Sequence, residues 1–195
     1  MIEFKTGNLF DSSCNTIVNT VNCEGVMGKG IALECKNRYP FMFKCYQNAC
    51  KYGSKGNNYY PILKEGGDIY FWYNPKFNND SSYKLFEDEL EKIHPGIYDG
   101  KDNKCILNFA TKVFWRNPSK VEWIERGLYN FCERLYDGEH YYNLGPDTWT
   151  RAMSSIAWPK LGCNNGQLDW ESQVKPLMIK YLSQLPENIK IEIYE

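Results

Sequence analysis

"NTIVNTVNCEGVMGKGIAL", residues 15–33, decides how this chain folds. Its first part, Asn15 to Asn22, is a β-branched run apolar enough for a central strand buried on both faces. Gly25, Gly28 and Gly30 then fall within six positions, and the helix-forming Ile31-Ala32-Leu33 follows. A strand that passes through glycines into a helix is the junction at which open α/β sheets bind ligands. Glycine lets backbone N–H groups approach an anion, and the helix N-terminus adds a favourable dipole. The spacing G-x-x-G-x-G is neither the dinucleotide fingerprint nor a P-loop, which would continue with Lys and Ser or Thr. On these residues alone a phosphate cradle and a merely tight turn stay equally open. Asn19 and Asn22 could offer amides to a sugar or simply end the strand, and Lys29 could meet phosphates or water.

Outward from this stretch, strands and helices alternate. "IEFKTG" predicts a strand that stops at Gly7. Helices are expected from Gly30 to Arg38, before Pro40, and from Pro40 to Tyr52, with Gly53 as the stop. Strands are expected over 68–74, 104–110, 154–159 and 189–195, and helices over 83–93, 119–136 and 170–185. Val121, Ile124, Leu128, Phe131 and Leu135 form one helical stripe. This order predicts one domain over 1–195, with a mixed, mostly parallel sheet covered on both faces. Residues 74–103 and 137–150, rich in Asn, Asp, Gly, Tyr and Pro, read as irregular surface insertions.

Composition narrows the function classes. Lys and Arg total 23 against 24 Asp and Glu, so no global basic field advertises nucleic acid, although a local basic patch is compatible with that balance. The eight cysteines contain no CxxC pair and there are only two histidines, which speaks against zinc and for reduced thiols in a cytoplasmic protein. No secretory leader and no membrane-spanning apolar run is expected, nor any metal or cofactor.

Two more strand ends carry polar loops. "PKLGCNNGQLDW", 159–170, sets Gly162, Asn164, Asn165 and Gly166 at a strand-to-helix turn, and two such loops facing each other could clamp a diphosphate. Asp169 could cap the last helix or act on a substrate. In "NFATKVFWR", 108–116, Lys112 follows the apolar run with Phe109, Phe114 and Trp115 around it. Apolar surroundings disfavour the charged ammonium and can make a lysine nucleophilic, while an ordinary solvated lysine is the plainer alternative. Trp115 could be core, or with Arg116 could stack on a base and meet a phosphate.

These three stretches together resemble a macrodomain. "GNLF…TIVNTVNCEGVMGKGIALECKNRYP", "NFATKVFWR" and "IAWPKLGCNNGQLDW", in this order, are similar to the DarG antitoxin subgroup. The resemblance implies a three-layer α/β/α fold that binds ADP-ribose. By position it assigns Asn8 and Leu9 to the adenine end, Asn19 and Asn22 to the ribose side, and Gly25, Val26, Met27, Gly28, Lys29 and Gly30 to one diphosphate loop. Leu161, Gly162, Cys163, Asn164, Asn165 and Gly166 form the other loop, with Thr111 between them. Lys112 becomes the catalytic lysine, Asp169 a weaker catalytic candidate, and Trp115 and Arg116 contacts to DNA. The implied activity is a glycohydrolase that removes ADP-ribose from thymidine in single-stranded DNA, as a monomer, in antitoxin fashion, beside a cognate ADP-ribosyltransferase toxin. The competing activities are an ADP-ribose 1″-phosphate phosphatase and a non-catalytic ADP-ribose reader. Asn8 stands where macrodomains usually carry Asp, Ala110 where the pattern has Pro, and Asn164 where it has Gly. Gly166 aligns with an aspartate that the human terminal ADP-ribose glycohydrolase uses.

Overall fold

The computed structural model describes residues 1–52, 63–74, 103–141 and 146–195. Six strands form one sheet: β1 (Ile2–Lys5), β2 (Thr16–Val21), β3 (Ile69–Trp72), β4 (Cys105–Ala110), β5 (Ser155–Pro159) and β6 (Lys190–Tyr194). Their order is β1-β6-β5-β2-β4-β3, parallel throughout except that β3 runs antiparallel to β4, with Ile69 opposite Phe109. Helices α1 (Gly30–Arg38) and α2 (Pro40–Tyr52) cover one face, and α3 (Val121–Tyr141), α4 (Pro146–Met153) and α5 (Lys175–Leu182) cover the other. The result is a three-layer α/β/α sandwich.

Alternation along β4 shows how both faces are filled. Leu107 and Phe109 point towards Ile124, Leu128 and Phe131 of α3, while Ile106 and Ala110 point towards Cys35 of α1 and Met42 and Tyr46 of α2. A strand apolar in both directions is what a covered parallel sheet demands. Of the predicted stripe on α3, Ile124, Leu128, Phe131 and Leu135 are buried, and Val121 at its start is half-buried.

Two expectations change. Residues 137–150 are not an irregular insertion among the described residues: α3 runs on to Tyr141 and α4 begins at Pro146. Trp149 is core, its ring edge-on to Phe71 at 5.2 Å and its Nε1 donating to Leu135 O at 2.9 Å. The turn-forming composition there masked a short amphipathic helix. The last helix opens as a π turn, Trp170–Val174, before α5. Pro176 has no N–H to give the carbonyl of Ser172 and its ring crowds that group, so the preceding turn widens. The predicted helix 83–93, and the insertion 74–103 apart from its ends, lie outside the described residues. All eight cysteines are free thiols, and among the described residues no helix is long and apolar enough to cross a membrane.

One buried carboxylate gives the fold an acid limit. Glu192 on β6 is 3% exposed and accepts from Ser12 Oγ at 2.7 Å and Tyr194 Oη at 3.1 Å, with Lys190 Nζ at 2.6 Å. Burial opposes its charge, but these partners more than offset that and hold its pKa at about 2, below the ordinary 4.5. A folded-state pKa below the unfolded one stabilises above the unfolded value and is lost as pH falls through the folded one. Glu192→Gln should therefore be less stable than the parent at neutral pH. The gap in urea midpoint should close between about pH 4.5 and 2; a gap unchanged over that window would show that the carboxylate contributes nothing through its charge.

Candidate functional site

The carboxyl ends of β2, β4 and β5 open into one cleft of about 480 Å³. Three loops wall it, each continuing one of these parallel strands.

The first loop is braced from within by Asn22. Its Oδ1 accepts from Glu24 N at 2.9 Å and Val26 N at 3.3 Å, its Nδ2 donates to Val26 O at 2.6 Å, and Tyr46 Oη donates to its main-chain carbonyl at 2.7 Å. Asn22 reaches the cleft wall, but these bonds occupy it in shaping the turn. At the loop's end, Gly30 takes φ of +57°, a left-handed value that suits glycine, and starts α1. Lys29 caps the helix without a side-chain hydrogen bond, so the first-turn N–H groups lack a side-chain partner. Gly28 to Ala32 line the cleft at that open end, which suits an anion.

The second loop carries the short 3-10 turn Asn164–Gly166, with Asn164 and Gln167 in left-handed backbone. The loops meet across the cleft, because an atom at the Cβ position of Gly30 would lie 3.5 Å from Asn165 Nδ2. Gly166 is pressed on Ser119. A Cβ at 166 would sit 2.4 Å from Ser119 Oγ, while Ser119 N donates to Gly166 O at 2.9 Å. Ser119 is 6% exposed, and no partner for its hydroxyl stands among the described residues.

The third loop follows β4. Lys112 is half-buried, and its Nζ donates to Asn165 O at 2.5 Å, tying this loop to the second. Burial pushes its pKa below that of an ordinary lysine. Cys23 N donates to Val113 O at 2.9 Å and Trp115 N donates to Glu24 Oε2 at 2.8 Å, so the first loop anchors the third. Thus anchored, Phe114 is 53% and Trp115 47% exposed, and the Arg116 guanidinium lies 4.8 Å from the Trp115 ring centroid.

The structure brings most of the sequence-selected residues together. Asn22, Val26, Gly28, Lys29, Gly30 and Thr111 line the cleft, facing Gly162, Cys163, Asn164, Asn165 and Gly166, with Lys112, Trp115 and Arg116 at one side. Others stand apart from its wall. Asn19 is fully buried in the sheet, where its Nδ2 donates to Asn108 Oδ1 on β4 at 2.9 Å. Leu9, Met27 and Leu161 are core side chains, and Gly25 turns the first loop against Gln47. Asn8 caps the turn Leu9–Asp11 by accepting from Phe10 N at 3.0 Å. Asp169 caps the last helix, accepting from Ser172 N at 2.8 Å and Ser172 Oγ at 2.5 Å, which lowers its pKa.

Sequence reasoning missed two residues. Lys160 lines the cleft and adds a fourth cation to Lys29, Lys112 and Arg116; its place just past the β5 strand was the available signal. Ser119 has no signal in sequence, since it matters only through its contact with Gly166.

No catalogued protein-family profile matches the chain. It is 34% identical, over 187 residues and 96% of its length, to a DNA ADP-ribosyl glycohydrolase of Mycobacterium tuberculosis. The chain spans 40% of that relative's length. Its fold is similar to the macrodomain of Mycobacterium tuberculosis DarG, with a TM-score of 0.69 and 32% identity over 100% of this chain and 97% of the other. It is also similar to Thermosipho africanus DarTG in complex with ADP-ribose, with a TM-score of 0.67 and 30% identity over 99% of this chain and 41% of the other.

Proposed function

This chain belongs to the family of the DarG macrodomains, and from that premise we propose that it is a cytoplasmic hydrolase that removes ADP-ribose from a nucleobase of single-stranded DNA, thymidine by resemblance. One observation carries the reading: a half-buried lysine, Lys112, stands between two backbone-rich loops that face each other across one cleft. The open N-terminus of α1 and the turn Asn164–Gly166 hold the diphosphate, with Lys29 and Lys160 adding charge. The distal ribose lies towards Asn22 and Gly166, and Asn8 and Leu9 serve the adenine end. Lys112 meets the anomeric carbon and the base that leaves it. Residues 1–195 act as one monomeric macrodomain that carries the 74–103 insertion, and an ADP-ribosyltransferase toxin is its partner.

Trp115 and Arg116 give the modified strand a platform beside Lys112. An exposed aromatic ring with a guanidinium over it takes a base face and a phosphate without reading sequence. Trp115→Ala should raise KM for ADP-ribosylated single-stranded DNA by roughly five- to a hundredfold, the worth of one base stack. Its affinity for free ADP-ribose by calorimetry should stay close to that of the parent. Equal losses on both ligands would make Trp115 a wall of the ADP-ribose cleft instead.

The test of the function is turnover of two substrates, ADP-ribosylated single-stranded DNA and ADP-ribose 1″-phosphate. Release of free ADP-ribose from the DNA alone supports the glycohydrolase. Phosphate release alone would make the protein a phosphatase, and binding without turnover of either would make it a reader.

A further inference from the structure

A lysine at a glycosidic bond can act in two opposite ways: as a neutral amine attacking the sugar, or as a cation giving its proton to the departing base. The surroundings of Lys112 separate them. Its Nζ donates to the carbonyl of Asn165, and a carbonyl oxygen favours the ammonium form. An ADP-ribosyl adduct on the amine would also need a carboxylate to activate the water that resolves it, and each nearby acid is committed elsewhere. Asp169 holds the N-terminus of the last helix through Ser172, and Glu24 holds Trp115 N. Position 166 is a glycine and offers no carboxylate. Among the described residues that line the cleft none is acidic.

We infer that Lys112 is a cationic general acid for the leaving nucleobase and not a nucleophile, an assignment that rests on the glycohydrolase reading above. As the bond between C1″ of the distal ribose and the base nitrogen breaks, its electron pair goes to the base, and the Lys112 ammonium supplies the proton. Water then adds through its oxygen to C1″ and passes a proton to the Lys112 amine, which restores the ammonium. The sum is one water consumed, with free ADP-ribose and the unmodified base released. No carboxylate is required at any point. The lowered pKa of Lys112 suits a proton donor, since it narrows the gap to the group it protonates.

The other charged and titratable groups that face Lys112 come from all three loops. Lys29 on the first loop, Arg116 on the third and Lys160 after β5 also line the cleft. Burial holds the thiols of Cys23 and Cys163 up at about 12 and about 11, so both stay neutral, and Asp169 is held anionic by its cap.

The experiment measures kcat at saturating ADP-ribosylated single-stranded DNA, which reports the bound complex. Between about pH 6 and about pH 10 it should be flat and then fall about tenfold per unit above the pKa of Lys112. Lys112→Arg keeps the positive charge, but its guanidinium does not give up a proton, so it should stay at least about tenfold below the parent, as Lys112→Ala does. Borohydride quenching of the parent should leave no ADP-ribosyl-lysine in the peptide map. A kcat that rises with pH, near-parental turnover by Lys112→Arg, or a trapped adduct on Lys112 would overturn the assignment and leave the glycohydrolase standing. A parent that turns over none of this DNA at any pH would overturn the glycohydrolase reading and the assignment with it.

Discussion

Lys112→Ala should bind ADP-ribose nearly as well as the parent and release almost none of it from DNA. The diphosphate is met by backbone, namely the first turn of α1 and the turn Asn164–Gly166, and truncating a side chain leaves those groups in place. The lost bond to Asn165 O loosens the junction between the second and third loops, so some affinity goes with it. A shift of up to about tenfold, or about 1.4 kcal/mol, is expected in calorimetry. Turnover is a different matter, because charge on the departing base develops only in the transition state. Removing the group that meets it should lower kcat by roughly two or more orders of magnitude. A variant that cleaves at near the parental rate would make Lys112 an ordinary cleft-wall residue. The catalytic role would then pass to a water held by the second loop, because the carboxylate of Asp169 is tied to Ser172.

The second large effect is expected at Gly166. Alanine there places a methyl 2.4 Å from Ser119 Oγ and 3.1 Å from Ser119 Cβ. Rotation about χ1 can take Oγ away, but not Cβ, which the bond from Ser119 N to Gly166 O at 2.9 Å holds in place. The remaining contact with Cβ displaces the turn Asn164–Gly166, and with it the Asn165 carbonyl that receives Lys112. Overpacking of this kind costs about 1–3 kcal/mol in stability. Affinity for ADP-ribose should fall at least about tenfold. Ser119→Gly removes both offending atoms, so the double variant should recover much of the lost affinity, with a coupling of about 0.5–3 kcal/mol in the cycle. Parental affinity in Gly166→Ala alone would mean that the second loop does not touch the ligand.

Several features of this protein were legible in residue order because short-range physics encodes them. A β-branched run ending in glycines and a helix former specified β2, the first loop and α1, since strand burial, left-handed backbone and helix propensity are all local. The stripe Ile124, Leu128, Phe131 and Leu135 specified the buried face of α3 in the same way. The place of Lys112 beside the cleft followed from its position one turn residue past an apolar strand.

What the tertiary structure decided involves groups distant in the chain or sharing a local pattern. Asn19 and Asn22 look alike in sequence, yet the alternation of β2 sends Asn19 into the sheet against Asn108, while Asn22, just past the strand, braces the loop. The antiparallel sense of β3 is invisible to periodicity, which is the same in either direction. The cap that Asp169 makes with Ser172 is a contact of the folded chain, and Lys160 was one lysine among many until β5 carried it to the cleft. The contact of Ser119 with Gly166, 47 positions apart, exists only because α3 starts beneath the second loop. Residue order states which backbone shapes are cheap; which side chains then share one cleft depends on the packing of segments that no local pattern relates.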